Sequence, residues 1–220
     1  VSIPKPLFTV VVPVKGTADG KSRLLPERPA GERMLLAEAF ALDAVSALQR
    51  ARQVGRVVVV TDAASSVAAR LRERGVTVLG DPGGGLNAAA GAGLAWAGAD
   101  ADAAVGAAPG PVAVMLGDLP TLGADDLDEA LEAARGHPLA LVHDAEGSGT
   151  TLITATEGAL VPHFGGGSAE RHRAAGHVDL VLRPESTLRH DVDTEADLQA
   201  AVAVGVGGHT AEVLRRLTSR

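Results

Sequence analysis

Apolar residues in this chain follow two spacings that alternate along most of its length. The runs LFTVVVPV over residues 7–14 and RVVVVTD over 56–62 are continuous and rich in β-branched residues, the pattern of strands covered on both faces. Between them, residues 32–52 keep Leu35, Leu36, Ala39, Leu42, Val45 and Leu48 on one helical stripe. Strand, helix and strand in that order predict a βαβ crossover, which is right-handed. The alternation continues with a helix over 64–74, a short strand over 76–79, a helix of small residues over 87–98 and a strand over 112–116. Four parallel strands with crossover helices form a Rossmann-like half, whose ligand crevice lies at the carboxyl ends of the strands.

After a helix over 125–135 the strict alternation breaks. The strand LALVH over 139–143 and the segment GTTLIT over 149–154 are separated by the turn-rich DAEGS, so an antiparallel addition is expected. A glycine-rich loop, FGGGS over 164–168, then leads to a helix over 170–175. A strand over 178–183, a short strand over 189–193, a helix over 194–204 and an amphipathic helix over 209–220 complete the reading. The Ala- and Asp-rich stretch 98–110 reads as a surface loop. No internal repeat is present, and residues 1–220 are expected to form one α/β domain with a mostly parallel central sheet between helical layers.

Composition narrows the chemistry. Aromatic residues make up only 2% of the chain, so the core must be built from Val, Leu and Ala, as suits parallel strands under Ala-rich helices. There is no cysteine, which excludes disulfides, thiolate metal sites and cysteine nucleophiles and leaves a hard cation held by oxygens as the cofactor type. A net charge of -7 argues against nucleic acid as a partner, since such binding needs clustered Lys and Arg. No apolar run is long enough to span a bilayer, and no basic segment precedes one as in a secretory signal, so a cytoplasmic location without membrane association is expected.

The most informative stretch is VMLGDLP over 114–120, where an apolar strand stops at a carboxylate, Asp118, held between Gly117 and a Leu-Pro step. At the carboxyl end of a strand such a residue is placed to hold a metal and a phosphate. The competing structural reading, that Asp118 caps the helix over 125–135, is weakened because that helix has its own starters in Gly123-Ala124-Asp125. Directly after the first strand comes VKGTADGKSRL over 14–24, a glycine-containing loop with Lys15, Lys21 and Arg23. Backbone N–H groups and cations there suit a polyphosphate cradle. It is one residue short of a Walker A loop, and Pro26 and Pro29 interrupt the helix that Lys21-Ser22 would have to open, at about 3 kcal/mol for an internal proline. A second acidic centre is Asp191-Val192-Asp193, whose period-two geometry points both carboxylates one way; the alternative is that Asp193 or Thr194 caps the next helix. Gly83-Gly84-Gly85-Leu86-Asn87 joins a strand to a helix and admits a nucleoside against bare backbone. The seven histidines have no zinc spacing and read as scattered surface groups. Neither a Gly-x-Ser-x-Gly elbow nor a cysteine supports covalent catalysis.

Taken in order, Pro13-Val14-Lys15 with Lys21-Ser22-Arg23-Leu24, Gly85-Leu86-Asn87, Gly117-Asp118-Leu119-Pro120, Gly149-Thr150-Thr151, Phe164-Gly165 with Ser168, and Asp191-Val192-Asp193-Thr194 resemble the phosphoenolpyruvate and 2-phospho-L-lactate guanylyltransferase family of coenzyme F-420 biosynthesis. The resemblance implies a Rossmann-like, three-layer nucleotidyltransferase of the glycosyltransferase-A-like kind. It implies Mg²⁺-dependent transfer of GMP from GTP to a three-carbon phosphorylated acid, phosphoenolpyruvate in the actinobacterial branch that the GC-rich composition favours. It makes Asp118, Asp191 and Asp193 the metal carboxylates. Lys21 and Arg23, with Lys15, would hold the departing pyrophosphate, Gly85, Leu86 and Asn87 the nucleoside, and Thr150, Gly165 and Ser168 the acceptor. Ala169 departs from the aromatic residue common after the serine. The nearest rivals are a molybdopterin-type or sugar-phosphate nucleotidyltransferase, whose Gly-Gly run before Arg and Lys is absent here, and a non-catalytic nucleotide-binding domain.

Overall fold

The computed structural model describes residues 5–14, 25–103 and 110–219. Its frame is a seven-stranded sheet built from β1 (Phe8–Pro13), β2 (Val54–Thr61), β3 (Thr77–Gly80), β4 (Val112–Met115), β5 (Leu139–His143), β6 (Thr150–Ala155) and β7 (Val178–Asp179). The spatial order is β3-β2-β1-β4-β6-β5-β7. β1 to β4 are mutually parallel neighbours, with Val11 in register with both Val58 and Val114. β6 is the expected antiparallel addition, but it inserts between β4 and β5 and opposes both, pairing Ile153 with Val114 and with Leu141.

The continuous apolar runs are explained by burial on both faces. Val10 and Val12 pack on one side with Val57 and Val59, while Val11 packs on the other with Val58 and Val60. The first side is covered by α1 (Ala30–Arg50), α2 (Ser66–Glu73) and α4 (Ala124–Ala134), the second by α3 (Leu86–Ala103). Gly93 lets α3 settle on the sheet, since a Cβ there would lie 2.3 Å from Cγ1 of Val11. On the α1 stripe, Leu36, Ala39, Leu42, Val45 and Leu48 are buried as expected, whereas Leu35 is 44% exposed. Twenty-one helical residues outreach the six-residue strand β1, because roughly 30 Å of helix faces roughly 20 Å of strand. A third cluster gathers Leu36 and Phe40 of α1, Leu25, Val192 and Leu198. It seats α6 (Glu195–Val204) and, through partly buried Val213, Leu214 and Leu217, α7 (Gly208–Thr218). Buried Asp43 of α1 fixes α7 by accepting from the backbone N–H groups of His209 and Thr210 at 3.0 and 2.8 Å.

Three sequence expectations need correction. The strand expected over 178–183 forms a ladder only at β7, although Leu180 and Leu182 remain buried while Val181 is 96% exposed. The segment expected as a strand over 189–193 begins as the end of a 3-10 turn, Thr187–Arg189, and continues without a strand partner. α3 extends to Ala103, so the start of the stretch read as a loop over 98–110 is helical. No described helix is long and apolar enough to cross a membrane.

Candidate active site

The carboxyl ends of β1 and β4 and the amino end of β6 meet at one edge of the sheet, because β6 runs the other way. A cleft of about 380 Å³ opens there. Its floor is Pro13, Val14, Leu116, Gly117 and Asp118. Asp144, Ser148, Gly149 and Thr150 form one wall, the 164–168 loop another, and Asp191 and Asp193 complete it. Gly117 permits this convergence, since a Cβ would sit 3.2 Å from Val14 Cγ2.

Asp118 follows β4 directly and does not cap α4, whose N-cap is Gly123. Its carbonyl accepts from the Val192 N–H at 3.1 Å, so the second acidic segment is held against the first. Val192 turns into the core between Asp191 and Asp193, both of which line the cleft. The same-side placement expected from period two is therefore present without the strand ladder. Thr194, not Asp193, caps α6, and with Asp197 it forms a capping box. Burial and the neighbouring carboxylates of Asp118, Asp193 and Asp144 push Asp191 up to about 8. Among the described residues no group of three or more His, Asp or Glu is set to hold a metal ion. Mg²⁺ takes only one or two carboxylates and fills its remaining positions with water and substrate phosphates.

Lys15, Lys21 and Arg23 lie outside the described residues. Both flanks of their segment are at the cleft: Val14 lines it, and the Leu25 N–H donates to the Asp193 carbonyl at 2.8 Å. Arg28 is paired in bidentate fashion with Glu195, at 2.7 Å for each bond. Residues 25–29 are non-helical and α1 starts only at Ala30, after Pro29. No helix of the length that a Walker A loop would need runs through residues 25–29.

Gly83, Gly84 and Gly85 all have left-handed φ, from 79° to 89°, which favours glycine. Leu86 lines the cleft. Asn87 is engaged elsewhere, donating to the Phe164 carbonyl at 3.1 Å and accepting from the Phe164 N–H at 2.8 Å. It thereby clamps the glycine-rich loop to the start of α3. Arg171 braces the same loop from outside through the carbonyls of His163, Gly165 and Gly166. Gly165 adopts φ 119°, and Gly165 and Ser168 line the cleft. Thr150 and Ser168 are buried, with their hydroxyl oxygens 3.2 Å apart.

Two features were not legible in the sequence reading. Asp144 stands in the turn-rich DAEGS, yet its carboxylate lines the cleft and accepts from the N–H groups of Ser148 and Gly149 at 3.0 and 2.7 Å, closing the β5–β6 hairpin. Asp, Gly and Ser between two apolar runs are the local sign of a turn, which the sequence reading used, but they do not show a carboxylate at the cleft. His172 and His177 are 0% and 5% exposed, contrary to the expectation of surface histidines. His172 lies against Thr150, with Nδ1 3.0 Å from Oγ1.

Comparison with known proteins identifies the fold and the family. In fold, the chain superposes on a Desulfovibrio desulfuricans G20 protein assigned to the nucleotide-diphospho-sugar transferases, with a TM-score of 0.67, 17% identity and coverage of 96% of this chain and 95% of that one. A Methanothermobacter nucleotidyl transferase matches with a TM-score of 0.58 at 18% identity, covering 90% and 97%. These likenesses establish a nucleotidyltransferase-type α/β fold. In sequence, the chain is 46% identical over 212 residues to the phosphoenolpyruvate guanylyltransferase of Streptomyces coelicolor, covering 96% of this chain and 97% of the relative. It is 42% identical to the enzyme of that name from Sanguibacter keddieii, covering 95% and 84%. The family model described as "Guanylyl transferase CofC like" matches residues 8–219, and the chain belongs to that family of guanylyl transferases.

Proposed function

We propose that this protein transfers GMP from GTP to phosphoenolpyruvate, giving enolpyruvoyl-diphospho-5'-guanosine and pyrophosphate in coenzyme F-420 biosynthesis. The observation that carries the reading is the convergence of Asp118, Asp191 and Asp193 with Thr150 and Ser168 in one cleft. The acceptor is that of the relatives, which favours phosphoenolpyruvate over 2-phospholactate.

An oxygen of the acceptor phosphate attacks the α-phosphorus of GTP, the new P–O bond forms, and the bond to the β-phosphate oxygen breaks to release pyrophosphate. The acceptor is already an anion, so the reaction needs no serine-histidine pair. The protein must hold two anions in line and balance their charge. Thr150, Ser168 and the backbone of Gly165 would orient the acceptor, Leu86 and the bare Gly83–Gly85 turn would receive the nucleoside, and Lys15, Lys21 and Arg23 would stabilise the departing pyrophosphate. One or two of the carboxylates of Asp118, Asp191 and Asp193 would supply the hard oxygen donors that Mg²⁺ requires, and the upward displacement of Asp191, caused by burial and then by the neighbouring carboxylates, would be relieved by a counter-charge. Bound there, Mg²⁺ would neutralise phosphate charge between donor and acceptor.

The test is pyrophosphate release by purified protein with GTP or ATP, with phosphoenolpyruvate, 2-phospholactate or no acceptor, in Mg²⁺ or EDTA. Release confined to GTP, phosphoenolpyruvate and Mg²⁺ is expected. Release with 2-phospholactate alone would move the protein to the other branch, and silence in every combination would sink the reading.

A further inference from the structure

We propose that His172 is a positioning residue for the acceptor: through its tautomer it reserves one hydroxyl hydrogen of the Thr150–Ser168 pair for the incoming anion. The inference rests on the acceptor site proposed above and adds the device that sets its hydrogen-bonding polarity.

Nε2 of His172 receives the backbone N–H of His163 at 2.9 Å and so carries no proton. The ring is fully buried and packed by the rings of His163, Phe164 and His177, and burial, with those neighbouring histidines and Arg171, depresses its pKa to about 4. A neutral ring unprotonated at Nε2 must carry its hydrogen on Nδ1. That Nδ1–H donates to Thr150 Oγ1, 3.0 Å away. Thr150 and Ser168 together own two hydroxyl hydrogens, and the bond between them at 3.2 Å consumes one. Whichever hydroxyl donates in that bond, the other's hydrogen remains for the cleft that both residues line.

The opposite tautomer reverses the outcome. With Nδ1 as acceptor, Thr150 would donate to the imidazole and Ser168 to Thr150, both hydrogens would be spent inside the protein, and only lone pairs would face a phosphate or carboxylate. The main-chain N–H of His163, immediately before the glycine-rich loop, thus selects a site that gives hydrogen bonds to an anion. A second consequence is that the ring which sets the polarity of the hydroxyl pair also anchors the start of the loop, beside the contacts of Asn87 and Arg171.

Two measurements test this. In nitrogen-labelled wild-type protein at neutral pH, NMR of the His172 ring is expected to show a protonated Nδ1 and an unprotonated Nε2; the reverse tautomer, or a charged ring, would overturn the inference without reference to any substrate. In kinetics, His172→Gln keeps an acceptor near the Nε2 position and loses the donor to Thr150, whereas His172→Asn keeps an amide donor near the Nδ1 position. The Gln variant should raise KM for phosphoenolpyruvate about tenfold to a hundredfold, the scale of a hydrogen bond to a charged group, with KM for GTP unchanged, and the Asn variant should recover most of the loss. In a Thr150→Val background the Gln change should add little. An unchanged acceptor KM in a folded Gln variant, with an active wild type, defeats the proposal for His172 alone; a wild type inactive on phosphoenolpyruvate defeats the acceptor assignment instead.

Discussion

The acidic cleft should make the protein less stable as it becomes more negatively charged, and Asp191→Asn should expose that cost. Burial and the carboxylates of Asp118, Asp193 and Asp144 raise Asp191 from its ordinary 3.8 to about 8. Its folded pKa exceeds its unfolded one, so the folded state holds a proton that the unfolded chain gives up. The contribution to stability is whole below about pH 4, falls as pH rises, and is lost by about pH 8. At 1.36 kcal/mol for each tenfold change in proton affinity the upper bound is about 6 kcal/mol, and screening in a cleft open to water lowers it to about 2 kcal/mol. Asparagine imitates the protonated acid without taking up a proton. In urea titrations with EDTA the variant should therefore outlast wild type at pH 8 by about 1 M in midpoint, for a denaturant slope of about 2 kcal/mol per M. The gap should shrink towards pH 4 and should narrow at pH 8 when millimolar Mg²⁺ supplies the missing counter-charge. The same substitution should abolish most transferase activity. A variant no more stable than wild type at pH 8, or a gap independent of pH, would show that these carboxylates are not coupled as described.

Asp118→Asn should lower kcat by roughly 10²-fold or more, the scale of a lost electrostatic contact to a transition state, with little change in thermal midpoint; wild-type turnover would remove Asp118 from the chemistry. Asn87→Ala breaks both bonds to the Phe164 backbone and should cost about 2 kcal/mol in urea unfolding while raising KM for the acceptor more than for GTP; the opposite order would return Asn87 to the nucleoside. Gly93→Ala forces a Cβ to 2.3 Å from Val11 Cγ1, and its overpacking cost of about 1–3 kcal/mol exceeds the roughly 1 kcal/mol gained in helix propensity. Calorimetry should find a net loss, and a rise in stability would mean α3 can withdraw from the sheet.

Much of the parallel half was readable because its strands are covered on both faces, which leaves unbroken β-branched runs such as residues 57–60 that few other environments tolerate. Asp118 was readable for a related reason: the run ends abruptly, and the end of a strand in such a sheet is where ligands bind. The later strands were misjudged because alternation reports which way a side chain faces and not whether a neighbouring chain is there to bond. Leu180 and Leu182 alternate with exposed Val181 and Arg183, yet the ladder stops at Asp179. Asp191 and Asp193 likewise flank buried Val192 without a strand partner. Asn87 and His172 show a second limit. The partner of Asn87 is 77 positions away in the sequence and that of His172 is 22 away, and no local pattern encodes which distant backbone or hydroxyl a polar side chain will meet.

The reversed strand β6 has a consequence beyond delivering Thr150 to the cleft. β4 presents Val112-Ala113-Val114-Met115, with Ala113, Val114 and Met115 fully buried, and its far side is paired along its whole length by β6. A chain that ended after α4 would contain all four parallel strands but would leave that flat apolar edge unpaired, a template for the same edge of another molecule. The strands after α4 therefore act as a stopper, beside the acceptor role proposed for Thr150. A chain shortened after α4 for engineering should aggregate through β4, unless charge or proline is placed on that edge to replace the protection that the hairpin gives.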